Sequence, residues 1–169
     1  MVWSGTWKFT PPEVAWVTRT LPRNMKVLAS QRNAKEYAPI AGAVDGNAYY
    51  WSSLDPVRDV DAQQRLDALG RVVHEHGGLW LPSVAPGFDA TLLGGHRVVE
   101  RRDGQTLREE WELATDSAAD AIGIVSWNEF SENSHIEPSQ NYGNESLREV
   151  VPGLVELEVA VPRLMPALR

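Results

Sequence analysis

The sequence predicts an α/β fold, in which helices cover a sheet of parallel strands. Two observations predict this fold: short apolar runs alternate with helical patterns along the chain, and each helical pattern opens with a capping signature. Strands that alternate with helices favour parallel pairing through crossover connections. A third observation is the continuous apolar run 122–125, which is typical of a strand buried on both faces. We count five strand–helix units in one domain, residues 1–169.

The first two units start with the apolar runs 2–3 and 26–30. Residues 10–13, Thr-Pro-Pro-Glu, mark the start of the first helix, because Pro is favoured at the first helical position and Glu at the third. Residues 33–36, Asn-Ala-Lys-Glu, open a short second helix that we expect to end near Gly42.

The aromatic run 43–51 and the apolar run 79–84 are the third and fourth predicted strands. Between them a long helix begins around Asp61 and stops at residues 77–78, Gly-Gly. The fourth strand leads into a loop at residues 86–89.

The fifth predicted strand is the run 121–127, and the helix before it opens at residues 106–109, Thr-Leu-Arg-Glu. Residues 146–149 open the last helix, with a bend at Pro152. Residues 94–104 are expected to form a surface excursion. A flavodoxin-like sheet would be complete with five units, whereas a (β/α)8 barrel needs about 250 residues and would be partial. The pattern alone favours neither architecture.

Composition excludes several classes of function. The chain has 16 Lys and Arg against 23 Asp and Glu, and this net charge of −7 argues against nucleic acid or an anionic membrane as partner. No apolar stretch approaches the roughly 18 residues of a membrane helix. The absence of cysteine excludes disulfides, thiolate metal sites and thiol nucleophiles. Localisation stays open.

The densest polar cluster, residues 126–139, begins where the fifth strand is expected to end. In parallel α/β folds the active site lies at the carboxyl ends of the strands. Glu129 and Glu132 are three residues apart, a span of at most about 10 Å, which suits a pair of glycosidic acid and base groups. One carboxyl against an apolar wall such as Trp127 or Phe130 would have a raised pKa and serve as the acid.

The segments 127–132 (Trp-Asn-Glu-Phe-Ser-Glu), 135–139 (His-Ile-Glu-Pro-Ser) and 142–143 (Tyr-Gly) resemble the WNEWxEG…IEPS…YG pattern of glycoside hydrolase family 99. They are also similar to the WNDYGES-HYI segment of family 71, the α-1,3-glucanases. The resemblance is strong over 121–143 and weaker over 79–89 and 106–111. It implies a (β/α)8 barrel, of which this chain would be the five C-terminal units, acting on α-linked mannosides or glucosides.

The resemblance also implies roles for the two glutamates. Glu129 matches the family's general base, which is thought to assist attack by the sugar's own 2-hydroxyl, and Glu132 matches its general acid. Two positions differ from the family pattern: Phe130 stands at its second aromatic residue and Ser131 at its usual histidine.

Other residues near the predicted strand ends are candidates for binding sugar hydroxyls or stacking on sugar rings. These substrate-binding candidates are Asp45, Asn47, Tyr49, Tyr50, Trp51, Asp89, Trp127, Asn128, His135 and Glu137. We expect no cofactor and no metal, since His74 and His76 diverge on a helix and no glycine-rich phosphate loop is present.

The predicted partner is an oligosaccharide or polysaccharide, with self-association through open sheet edges as a further expectation. Two alternatives stay open from the sequence. One is a non-catalytic carbohydrate-binding relative that has lost part of its cleft. The other is a complete flavodoxin-like domain that binds a small ligand or a protein partner.

Overall fold

The computed structural model describes residues 1–150 and shows an α/β fold with parallel strands. The helices are α1 (Pro11–Arg19), α2 (Ala34–Tyr37), α3 (Ala62–Glu75) and α4 (Gln105–Asp116), and residues 145–150 are also helical. The strands are β1 (Leu28–Ala29), β2 (Gly46–Ala48), β3 (Leu79–Leu81), β4 (Ser83–Val84), β5 (Phe88–Asp89), β6 (Val98–Val99) and β7 (Gly123–Ile124). Short 3-10 turns lie at Thr6–Lys8, Ala38–Ala43, Thr91–Leu93 and Phe130–Glu132.

The parallel strands follow one another across the structure in chain order. A bridge from Val2 to Leu28 places the first residues beside β1, and β1 pairs with β2 and β2 with β3. Strands β3 and β4 are the two halves of segment 79–84, separated by Pro82, and β4 pairs with β7. A flavodoxin-like sheet has the order 2-1-3-4-5, with its first strand inside the sheet. The observed order therefore contradicts the flavodoxin-like alternative.

Local signals placed the first three helices correctly. Helix α1 has the predicted capping box, with the Thr10 N–H donating to Glu13 Oε2 at 2.7 Å. The Asn33 side chain accepts the Glu36 N–H at 3.0 Å and caps α2. Helix α3 begins directly after Asp61 and ends before the predicted glycines.

The predicted start of α4 at Thr106 was wrong, because Thr106 and Glu109, the predicted capping pair, bond to residues before the helix. Helix α4 begins at Gln105, and the Thr106 hydroxyl donates to the Glu100 carbonyl at 2.6 Å instead of capping. Glu109 pairs with Arg102. Residues 94–104, expected as a surface excursion, contain β6, which pairs antiparallel with β5. The last helix already begins at residue 145, and the predicted bend at Pro152 lies outside the described residues.

The main core lies between the sheet and helices α1 to α3 and centres on Trp80. The Trp80 side chain is fully buried, and its indole N–H donates to Ser117 Oγ at 2.9 Å. Gly70 of α3 permits this packing, since a Cβ there would lie 2.8 Å from the indole ring. A second cluster, Val84, Leu107, Ala114 and Val150, packs α4 against β4. No helix in the described part of the chain is long and apolar enough to span a membrane.

Candidate active site

Residues that follow β2 and β7 meet beyond the carboxyl ends of the strands. Tyr50 and Ser52 follow β2, and Glu129 and Glu132 follow β7. Burial raises the pKa of Tyr50, and the charges of Glu132 and Glu129 add to this shift. The Ser52 side chain lowers the pKa of Glu132. The two loops therefore share one site, at the sheet edge where parallel α/β enzymes place their chemistry.

Backbone hydrogen bonds hold the loop that carries the two glutamates. The Glu129 N–H donates to Ser126 Oγ at 2.8 Å, and the Glu129 carbonyl accepts the Ser134 N–H at 3.3 Å. The Ser126 carbonyl accepts the Ile136 N–H at 2.9 Å. These hydrogen bonds join the start of the loop, directly after β7, to its end.

The surroundings of Glu132 favour the protonated form of its carboxyl group. Burial raises the pKa of its carboxyl group, the negative charge of Glu129 raises it further, and the nearby Ser52 side chain opposes the shift. Its Oε2 atom is buried and has no hydrogen-bond partner within the described residues. A carboxyl group in these surroundings holds its proton to a higher pH than an ordinary glutamate.

Glu129 lies in a more open environment than Glu132. Its residue is exposed, and its Oε1 atom accepts a hydrogen bond from Ser131 Oγ at 2.8 Å. Two neighbouring carboxyl groups in such different surroundings divide naturally into a proton donor and a proton acceptor.

Of the three aromatic candidates after β2, only Tyr50 combines solvent exposure with the electrostatic contact to the glutamates. Its side chain is 48% exposed. Tyr49 is buried instead, and its hydroxyl accepts a hydrogen bond from Arg65 at 3.3 Å. The same guanidinium lies over the Trp51 ring at 4.1 Å. Tyr49 is therefore part of the core, which corrects its placement in the substrate site, whereas the half-buried Trp51 remains a candidate. Trp127, 53% exposed, lies two residues before Glu129.

Asp45 and Asn47 lie outside the candidate site, contrary to the prediction from the sequence. Asp45 lies at the opposite end of β2, where Lys26 holds its carboxylate at 2.7 Å and lowers its pKa. The Asn47 side chain is fully buried and bonds both the N–H and the carbonyl of Gln31. Its polar atoms join β2 to the end of β1, so they are not free to bind a sugar.

The remaining candidates lie on or beside the loop that carries Glu129 and Glu132. His135 is 5% exposed, stacks on Phe130 with 4.2 Å between ring centroids, and has its pKa lowered by burial and by Arg101. Asp89 accepts the Thr91 N–H at 2.8 Å in a turn, which lowers its pKa. Asn128 is exposed, and the half-buried Glu137 donates its N–H to the Trp127 carbonyl.

The sequence did not indicate Arg101, whose side chain hydrogen-bonds to the backbone that follows Glu132. Its side chain is 6% exposed and donates to the carbonyls of Asn133 and His135 at 3.0 and 2.8 Å. The sequence also did not indicate Glu110, a buried carboxyl that accepts the Ala85 N–H at 2.7 Å. Arg101 lies in the predicted surface stretch 94–104, and Glu110 lies in the predicted helix that opens at residues 106–109; in neither place does the sequence signal that a charged side chain is buried.

Within residues 1–150 no group of three or more His, Asp or Glu side chains is placed to hold a metal ion. His74, which the sequence analysis considered, lies with Nε2 2.9 Å from Asp120 Oδ2 on the outside of α3.

No protein-family model and no curated protein matches this chain. Two solved structures of the family 99 endo-α-mannosidase from Bacteroides thetaiotaomicron, one in complex with bis-tris-propane, match it with TM-scores of 0.80 and 0.79 at 20% identity. Each match covers 94% of this chain but only 57% and 54% of the mannosidase chains. The chain therefore has the fold of a family 99 enzyme over little more than half of that enzyme's length.

Proposed function

We propose that this chain carries the catalytic carboxyl groups of a glycoside hydrolase that cleaves α-linked glycans. One observation carries the proposal: Glu132, with a raised pKa, lies beside the more exposed Glu129 beyond the carboxyl ends of parallel strands. This is the arrangement that an acid and base pair requires. The family 99 fold and the motif at 127–143 support the same assignment.

In this proposal each glutamate moves one proton. Glu132 donates its proton to the glycosidic oxygen as the bond from that oxygen to the anomeric carbon breaks. Glu129 accepts a proton from the hydroxyl that attacks the anomeric carbon, either of water or of the sugar itself at position 2. Tyr50, exposed beside both glutamates, supplies an aromatic face and a hydroxyl for the sugar.

The proposed substrate is an α-mannan or an α-glucan. The matched structures are described as endo-α-mannosidases, and the motif is also similar to that of the α-1,3-glucanases. We further propose that residues 1–169 form a single domain equivalent to the five C-terminal strand–helix units of a barrel. The chain-order arrangement of the parallel strands supports this equivalence, and open sheet edges would favour self-association.

The test is hydrolysis of a panel of α-mannans and α-glucans by the purified chain, alongside the E129Q and E132Q variants. Both variants are nearly isosteric with the parent side chain, so circular dichroism and thermal unfolding should verify equal folding. We expect turnover by the parent chain and its loss in both variants. Equal turnover by the parent and E132Q would overturn the assignment of the acid.

A second candidate is a non-catalytic carbohydrate-binding protein, and the observation that favours it is the coverage of the matched structures. The match covers 57% of one mannosidase chain, so the rest of that chain lies outside the match. Such a protein would bind α-linked glycans equally before and after E132Q and hydrolyse none of them. Turnover by the folded parent chain excludes it.

A further inference from the structure

The chain contains two Asp–Gly pairs, Asp45–Gly46 and Asp103–Gly104, which lie in opposite surroundings. An Asp–Gly pair can isomerise without an enzyme, because glycine has no side chain to keep its backbone nitrogen away from the preceding carboxyl carbon. The reaction needs both groups to be free to approach each other. The surroundings of each pair therefore decide where the folded chain reacts.

Hydrogen bonds restrain the first pair, Asp45–Gly46. The Asp45 carboxylate accepts the Lys26 Nζ donor at 2.7 Å and the Val27 N–H at 2.8 Å. Gly46 is the first residue of β2 and pairs with residues of both β1 and β3. Both reacting groups are thus held in place by their neighbours.

The second pair lies in a surface turn and lacks such restraints. Asp103 is exposed, whereas Asp45 is partly buried. Among the hydrogen bonds and ion pairs within residues 1–150, none involves the Asp103 carboxylate and none uses the Gly104 N–H as donor. The attacking nitrogen and the carboxyl carbon are therefore both free to react.

The backbone of this turn is also strained. Arg102, Asp103 and Gly104 all lie in the left-handed region, with φ angles of 50°, 52° and 81°. Glycine adopts this conformation freely, whereas Arg102 and Asp103 adopt it against a steric cost. Gly104 is needed in the turn, since a Cβ at this position would lie 2.7 Å from Glu149 Cγ. A rearrangement of the backbone at Asp103 therefore relieves strain that is absent at Asp45.

We propose that Asp103–Gly104 is a modification site, at which the folded chain converts Asp103 to isoaspartate. The Gly104 backbone nitrogen attacks the side-chain carboxyl carbon of Asp103 and forms a C–N bond. One carboxyl oxygen leaves as water, with the proton of the Gly104 N–H and the proton of the carboxyl group. Water then opens the resulting succinimide ring at the main-chain carbonyl carbon. The main chain thereafter runs through the Asp103 side chain, and the composition of the protein is unchanged.

The product alters the turn that leads into α4. Isoaspartate lengthens the main chain by one atom between Arg102 and Gly104. The Thr106 N–H donates to the Arg101 carbonyl at 3.3 Å and the Gln105 N–H to the Arg102 carbonyl at 3.0 Å. Both hydrogen bonds span the added atom, so the modification should weaken the start of α4.

The test compares the two pairs within one protein. The purified chain is incubated in its folded state at neutral pH and, in parallel, in concentrated urea. Peptide mapping with electron-transfer fragmentation then measures isoaspartate at Asp45 and at Asp103. Asp103→Glu is the blocking variant, since it keeps the charge but its longer side chain closes a ring much less readily. Asp103→Asn is the second variant, because asparagine reacts through the same ring and its deamidation changes the intact mass.

In the folded chain we expect isoaspartate to form about tenfold faster at Asp103 than at Asp45, the order of the hydrogen bonds that must break at Asp45. In urea, where those bonds are absent, the two rates should approach each other. The modified fraction should melt at a lower temperature than the unmodified chain, and Asp103→Glu should form no such fraction.

Equal rates at the two pairs in the folded chain, or a ratio that urea leaves unchanged, overturns the proposal. A folded Asp103→Asn chain whose mass stays constant during the incubation overturns it independently of the peptide map. A modified fraction that melts with the parent chain overturns the effect on the turn.

Discussion

The Arg101 guanidinium stacks on the Tyr142 ring, with 4.0 Å between its central carbon and the ring centroid. From this position it donates to the carbonyls of Asn133 and His135 and to Ser146 Oγ. Arg101 thereby connects the loop that follows β7 to the helix that begins at residue 145. A planar group with several donors is required for this combination, which a lysine reproduces only in part.

Arg101→Met is expected to lower kcat by about tenfold to a hundredfold through displacement of the loop, with a smaller change in KM. The physical reason is that two buried carbonyl groups lose their donor. Steady-state kinetics well below the unfolding temperature measures the effect on folded molecules, and Arg101→Lys should recover part of kcat. If Arg101→Met lowers the melting temperature but leaves kcat unchanged, the residue has no positioning role.

Replacing Glu129 by Gln should lower the pKa of Glu132 without returning it to the ordinary value. Burial is the larger cause of the raised pKa and persists in the variant, whereas the charge of Glu129 is the smaller cause and is removed. Carbon-detected NMR titration of labelled glutamate carboxyls measures the Glu132 pKa in the parent chain and in the Glu129→Gln variant. An unchanged Glu132 titration would show that the two carboxyl groups are electrostatically independent.

Glu110→Gln is expected to remove a pH-dependent loss of stability. Burial raises the pKa of Glu110 well above its ordinary value. The folded chain therefore retains this proton when the unfolded chain has lost it. The sign follows from linkage: stability is full below the unfolded pKa and falls as pH rises from there to the folded pKa.

Urea unfolding of the parent and Glu110→Gln from about pH 4 to about pH 8 tests this sign. The difference in unfolding free energy should move in favour of the glutamine variant as pH rises. Glu109→Gln is the control, since Arg102 lowers the pKa of Glu109 and any pH dependence of this variant therefore has the opposite sign. A pH-independent difference between the parent and Glu110→Gln would contradict the linkage.

Asp45→Asn should leave glycan hydrolysis unchanged. Asp45 lies at the end of β2 away from the glutamates, and its contact with Lys26 is a partly exposed ion pair worth at most about 1 kcal/mol. Initial rates on the substrate panel, compared with Tyr50→Phe as a substitution beside the glutamates, provide the measurement. A loss of rate with Asp45→Asn alone would place Asp45 back in the site.

Sequence patterns predicted the local features of this fold well. The capping box of α1 and the Asn33 cap of α2 each depend on residues within four positions, so their sequence signal is complete. The loop with Glu129 and Glu132 was also predicted to follow a strand, because the apolar run before it ends sharply. The pairing of the two glutamates with Tyr50 and Ser52 needed the structure, since about 80 residues separate the partners.

The wrong assignments of Asp45, Asn47 and Tyr49 come from the bounds and the phase of β2. The predicted strand covered 43–51, whereas β2 contains only Gly46–Ala48. Asp45 therefore lies before the strand and Asn47 within it. Since neighbouring strand residues point to opposite faces, alternation alone does not tell which of Tyr49 and Tyr50 enters the core. That choice depends on Arg65 of α3, which packs against Tyr49.

Ser83 connects the two sides of the candidate site. Its hydroxyl accepts the Trp51 N–H at 2.8 Å, and its backbone pairs in register with Gly123 of β7. The residue is buried. Ser83 therefore links the segment after β2 to β7 without lying on the surface, so a larger side chain at position 83 would change the spacing between Tyr50 and Glu132 while both of those residues stay the same.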